Sequence, residues 1–370
     1  MLPSNVFNTA KSDYTDGPVS LFIGQDPGLF DTVNRRHPEI WKLYKTMKSL
    51  DWDEIEFDFS PCNVEFKTRP QGMAKTMIAT LAWQWEGDSV AARMLLPVMA
   101  PFITSPELQA AYGRVTDNEV LHAATYSEMV RNSFDNPNEV LKEVLSVKEA
   151  MLRLKGITKI MSDSYRISHE LALGMRRRDE QSTYDAAFKL VVAGLILERI
   201  QFMASFAVTF AIGEVGAFMP IAKSVQKIAQ DELEIHVELG KAVLRNELQT
   251  EWGKRAFEGN LQEITDVLEE VVDSELSWCD FLYRDGSHLP GVTVKSLKGW
   301  VLQCARDVYN FLGIPMPTKY NPPTELALPF MKEWMNISLT QASPQEQQNG
   351  QYKVNTTRRD DEGIVFADDF

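Results

Sequence analysis

From Arg35 onward the apolar residues of this chain recur with a period close to that of an α-helix, and acidic residues interrupt the most apolar of these runs at a few positions. That period predicts helices near 38–49, 71–99, 106–133, 138–154, 158–178, 183–212, 217–247, 260–284 and 292–311. Local signals mark two of the starts. Ser105 can cap a helix that has Pro106 at its first position, and Asn136-Pro137-Asn138 precedes Glu139. No alternating pattern long enough for a strand and no internal repeat is present, so the expected class is all-α. Before about residue 30, Asp13, Asp16, Gly17, Pro18, Gly24, Pro27 and Gly28 suggest an irregular entry segment.

Composition limits what such a helical chain does. With 44% hydrophobic residues in a length of 370, a large core is available. The 38 basic and 52 acidic residues leave a net charge of −14, which argues against nucleic acid as a partner. Cys62, Cys279 and Cys304 are far apart and form no CxxC pair, so a reducing, cytoplasmic setting is expected. The N-terminus has no basic start followed by an apolar run. The longest uncharged stretch, Ile200 to Gly213, has 14 residues and reads as a buried core helix, with no membrane span expected. After about Met335 the chain becomes polar and Gln-rich, which predicts a disordered tail over 336–370 following a helical domain over 1–335. The tail closes on Phe366-Ala367-Asp368-Asp369-Phe370, the kind of short motif that docks in a partner's groove.

The interrupting acids carry the chemistry. Glu119, His122 and Tyr126 stand at i, i+3 and i+7, within about 60° of one another on a helix, between small and apolar neighbours. A single Glu-x-x-His is more often a core histidine beside a surface glutamate. A second cluster changes that weighting: Glu232 and His236, at i and i+4, also share a face. Two further acids lie in apolar surroundings, Glu198 after Leu190–Leu197 and Asp88 after Leu81–Trp85, with Glu86 as a rival to Asp88. Four buried carboxylates without compensation would be prohibitive. Two divalent cations would balance them, and four carboxylates with two imidazoles suit iron or manganese. Helical bundles that supply two Glu/His pairs and two further carboxylates are the ferritin-like dinuclear proteins.

On these residues the chain resembles the small, radical-generating subunit of class I ribonucleotide reductase, from about Trp52 to its last residue. The resemblance implies a metal ligand set of Asp88, Glu119, His122, Glu198, Glu232 and His236, and the intervals of 31 residues from Asp88 to Glu119 and 34 from Glu198 to Glu232 agree with it. It implies a radical on Tyr126 sheltered by Phe202, Phe206 and Ile228. Trp52 and Asp231 match its electron-entry pair, and Tyr352 matches its mobile relay tyrosine. It further implies a ferritin-like bundle with two iron ions, or two manganese or one of each, a homodimer, and a large subunit that binds the tail and reduces ribonucleoside diphosphates or triphosphates. No GxxxxGK[ST] or GxGxxG loop is present, as expected if nucleotides bind to the partner. A ferritin-like oxidase or hydroxylase acting on a small organic substrate is the alternative. A metal-free scaffold would leave the four acids unexplained.

One position departs from the family. Its second cluster has Glu-x-x-His, whereas three residues separate Glu232 from His236 here. A π-bulge would absorb the extra residue and could turn Glu234 toward the metals; a regular helix would point Glu234 away.

Overall fold

The computed structural model describes residues 20–24, 29–284 and 289–336. Helices follow one another as α1 (Pro38–Ser49), α2 (Ser60–Thr68), α3 (Gln71–Met99), α4 (Pro106–Ser133), α5 (Pro137–Val144), α6 (Lys148–Arg153), α7 (Lys155–Ala172), α8 (Gln181–Ile196), α9 (Met203–Glu214), α10 (Met219–Asp231), α11 (Val237–Glu247), α12 (Glu251–Leu282), α13 (Val294–Leu312) and α14 (Met331–Trp334). Two π-helical segments, Leu197–Gln201 and Glu232–His236, join α8 to α9 and α10 to α11. Among the described residues β pairing is confined to isolated bridges, such as those of Phe22 with Ile103 and Leu289 with Val292.

Four rods form the centre: α3, α4, α8 running into α9, and α10 running into α11. The first two pack along each other, α3 meets α9, α9 meets α10, and α8 meets α11. The α8–α9 rod is apolar enough to suggest a bilayer span, yet 89% of its most apolar window is buried inside the bundle. It is a core helix because other helices cover it. α7 and α12 lie on α8, α13 covers α9, α1 covers α4 and α11, and α2 covers α4 and α10.

Local chemistry sets the ends. The Ser105 hydroxyl accepts from the Leu108 amide at 3.3 Å, and Pro106 starts α4 as expected. The expected helix over 138–154 is two helices, because the chain turns at Leu145–Val147. That expected over 158–178 begins at Lys155 and stops at Ala172, where Gly174 takes a φ of +70°. α12 begins earlier than expected, since the Thr250 hydroxyl accepts from the Gly253 amide at 2.9 Å. α2 has no counterpart in the periodicity; Cys62 is its one buried residue, so it carries no apolar stripe. The expected tail, with Tyr352 and the terminal Phe366–Phe370, lies outside the described residues.

Candidate metal centre

Each central rod contributes ligand-type side chains to one region. Asp88 comes from α3, Glu119 and His122 from α4, Glu198 from the π segment after α8, and Glu232 and His236 from the π segment after α10. None of the six is more than 7% exposed. They form two overlapping groups: Asp88, Glu119, His122 and Glu232 in one, and Glu119, Glu198, Glu232 and His236 in the other, each with ligand atoms within 4.8 Å of one another. Glu119 and Glu232 belong to both. The rival Glu86 is only half-buried and belongs to neither.

Both imidazoles turn Nδ1 into the cluster. His122 Nδ1 lies 3.1 Å from Glu232 Oε1 and 3.7 Å from Glu119 Oε2. His236 Nδ1 lies 2.7 Å from Glu232 Oε2 and 3.3 Å from Glu119 Oε1. The extra residue of the second cluster is absorbed by the π segment, so Glu232 and His236 stay on one face. The conditional reading of Glu234 needs correction: despite the bulge it is exposed, because the widened turn moves His236 inward and leaves Glu234 on the solvent side.

Electrostatics show what the cluster lacks. Burial first, and then the neighbouring carboxylates, push the Asp88 and Glu198 carboxyls well above their usual range. Burial works in the same sense on Glu232, but His236 and His122 hold it below that range. Burial opposes a proton on His122, yet Asp231, Glu119 and Glu232 keep its pKa well above normal; His236 is carried up to about 10 against the same penalty by Glu232 and Glu119. Carboxyls raised and imidazoles raised together mark a deficit of positive charge. Both Asp88 oxygens, both Glu119 oxygens, Glu198 Oε2, Glu232 Oε1 and His122 Nδ1 are buried without a hydrogen-bond partner. Such a set of orphaned donor atoms fits a dinuclear centre, whose two cations would satisfy the lone pairs and the charge together.

The surroundings are equally ordered. The outward nitrogen of His122, Nε2, is 3.2 Å from Asp231 Oδ2, and the same oxygen accepts from the Trp52 indole N–H at 2.8 Å. The Trp52 and His122 rings stack at 6.1 Å. Tyr126, one turn beyond His122, is 1% exposed; burial, Asp88 and Glu232 raise its phenol well above the ordinary value. Phe202, Phe206 and Ile228 are all buried, and the two phenylalanine rings stack at 5.6 Å. Gly87 admits Phe202 next to Asp88, since a Cβ there would stand 3.0 Å from the Phe202 ring. Gln84, one turn before Asp88, is fully buried with neither amide atom partnered. Sequence reading passed over it, although a glutamine between two tryptophans in an apolar run was the available signal.

The family model described as "Ribonucleotide reductase, small chain" matches residues 29–322. The chain belongs to that family. It is a small subunit of a class I ribonucleotide reductase, an oxidoreductase subunit that works with a separate large subunit, and it has a dinuclear metal site. Its curated relatives include the ribonucleoside-diphosphate reductase subunit beta of Enterobacteria phage T4, 26% identical with 95% of both chains covered. That of Haemophilus influenzae is 25% identical with 94% of both covered. Among solved structures, the R2 subunit from Clostridium botulinum has a TM-score of 0.74 at 16% identity, covering 91% of this chain and 99% of that one. The dimanganese(II)-NrdF of Streptococcus sanguinis has a TM-score of 0.64 at 12% identity, covering 83% and 98%. These similarities support the ferritin-like fold expected for the reductase subunit.

Proposed function

We propose that Asp88, Glu119, His122, Glu198, Glu232 and His236 hold two iron ions, with two manganese or one of each as alternatives, and that the oxidant made there is stored on Tyr126. The observation that carries this reading is the arrangement around His122: its Nδ1 faces the carboxylates, its Nε2 meets Asp231, and Tyr126 is buried one turn away. When bound, the metals supply the means to use O₂ as an oxidant. The protein supplies the rest. Asp231 orients His122 and ties it to Trp52, so an electron entering at Trp52 has one continuous hydrogen-bonded path inward. The shelter around Tyr126 has no bulk water with which its radical could react, with Phe202, Phe206 and Ile228 as its apolar members.

In this reading residues 1–335 are the radical-generating domain and 336–370 a tail that docks on the large subunit, with Tyr352 relaying the electron. The subunit is a cytoplasmic homodimer, and the substrates reduced in the large subunit are diphosphates, as the names of the relatives say of those proteins. An oxidase acting on an organic substrate is less well supported. The apolar pocket reaching Glu198, lined by Gly87, Val90, Met94 and Leu190 among others, has a volume of ≈ 40 Å³, room for little more than a water-sized molecule. Aerobic loading of the metal-free protein with iron(II) tests the proposal. About two metals per chain and a sharp tyrosyl-radical band support it; metal bands with no radical would favour the oxidase.

A further inference from the structure

Two buried tryptophans stand close to the proposed centre, and their environments are opposite. The Trp52 indole N–H donates to a carboxylate, Asp231 Oδ2. Trp83, on α3, packs on Phe202 with ring centroids 6.0 Å apart, and Phe202 in turn lies over Gly87 beside Asp88. The Trp83 indole N–H is buried with no partner, and the guanidinium carbon of Arg153 stands 3.9 Å from its ring centroid. The same guanidinium lies 4.5 Å from the ring of Trp278. Arg153 is 1% exposed. It is held by Glu275 through Nε at 2.7 Å and Nη2 at 2.6 Å, by Ser205 Oγ, and by the Gln201 carbonyl of the π segment that carries Glu198.

We infer that Arg153 prevents Trp83 from giving an electron to the oxidised centre, leaving Trp52 as the tryptophan that exchanges electrons with it. The inference rests on the radical reading above. Oxidation of Trp83 by the Tyr126 phenoxyl would move one electron from the indole to the phenoxyl oxygen, leaving an indole radical cation and a phenolate. Trp83 cannot shed its proton, because nothing beside its N–H accepts one. A positive charge would therefore remain on the ring against the guanidinium, and like charges at that separation inside a protein repel strongly. Glu275 offsets this only in part, since it binds the edge of the guanidinium and leaves the guanidinium carbon beside the ring. At Trp52 the surroundings reverse: the indole N–H has an acceptor in Asp231 Oδ2, and the nearest charge to the ring is negative.

The test uses the full chain loaded with iron(II) and O₂, followed by electron paramagnetic resonance, radical decay and metal counting. The double variant Arg153→Met/Glu275→Met removes the ion pair while keeping apolar volume, an exchange that buried pairs tolerate. It should load the same metal, show a tryptophan-type signal absent from the parent, and lose the Tyr126 radical at least about tenfold faster. Adding Trp83→Phe should abolish the new signal and restore the lifetime. An unchanged lifetime in the metal-loaded double variant overturns the inference, as does a shortened lifetime that survives Trp83→Phe. Trp83→Phe alone, a mild change that does not depend on the double variant folding, should leave radical yield and lifetime as in the parent; a change in either also overturns it. A parent protein that loads metal without any tyrosyl signal would instead overturn the radical reading itself.

Discussion

The two Glu/His pairs reach the same region by different backbones. In α4, Glu119 and His122 are three residues apart on a regular helix. In the other pair, Glu232 and His236 are four apart on a π segment, whose turn is wider by about one residue. One extra residue in sequence is cancelled by one extra residue per turn, and both histidines present Nδ1 to the shared carboxylates. The equivalence ends outside the cluster. His122 Nε2 meets Asp231 and, through it, Trp52, whereas His236 Nε2 is buried with no partner. One turn on, the first rod carries Tyr126 and the second Gly240. The inner faces of the two pairs are therefore alike, and the hydrogen-bonded link to a tryptophan lies on one side only.

The largest expected effect strikes what the two halves share. Glu119→Ala or Glu232→Ala should take metal content from about two per chain to near none, since each residue serves both groups, whereas His122→Ala and His236→Ala should each leave about one. Elemental analysis of the four purified variants decides it. Unchanged stoichiometry in all four would remove the dinuclear assignment.

Next comes the asymmetry one turn on. Tyr126→Phe keeps the ring and deletes the hydroxyl, so metal loading should stay at about two while the tyrosyl signal and turnover with the large subunit disappear. Normal turnover in this variant would place the stored oxidant on the metals.

The helical class and the buried clustering of these acids and histidines were legible in the sequence. A carboxylate in an apolar helical run is so costly that its presence announces compensation, as at Asp88 and Glu198, whereas Glu119 and Glu232, which have polar neighbours, were marked by the histidines that share their faces. What stayed hidden depends on contacts distant in sequence. Arg153 lies at the end of a short, half-polar helix, and only folding brings it to Trp83, Glu275 and Gln201. The bulge at Glu232–His236 was readable from its odd spacing, but the one at Leu197–Gln201 was not, because Glu198 has no nearby histidine to set a register.

A smaller effect should separate the histidines by their outer partners. Asp231→Asn keeps the size of the side chain but removes the carboxylate's charge from His122 Nε2, and losses of this kind cost roughly 10–100-fold in metal affinity. The loss should fall on one metal of the two, seen as biphasic titration, because His236 has no corresponding partner. Equal weakening of both sites would mean that the outer partner acts on the cluster as a whole.

The smallest effect should come from deleting Glu234, and it tests whether the second backbone matters at all. Removal leaves Glu232-Leu233-Ile235-His236, the i, i+3 spacing of the first cluster, and a regular helix can then carry it. Because the π turn already absorbs that one residue, α11 beyond it should keep its register against α8 and α1. Glu234 itself is exposed and belongs to neither ligand group. Metal stoichiometry should therefore remain about two and the Tyr126 radical should form, with Glu234→Ala silent as well. If the deletion loads metal but fails to form the radical, the π turn does more than accommodate a residue: its looser hydrogen bonding would then be what lets Glu232 and His236 shift as the oxidant is made. If the deletion binds no metal while Glu234→Ala binds normally, the equivalence of the two backbones is broken, and the second histidine needs the wide turn for its placement.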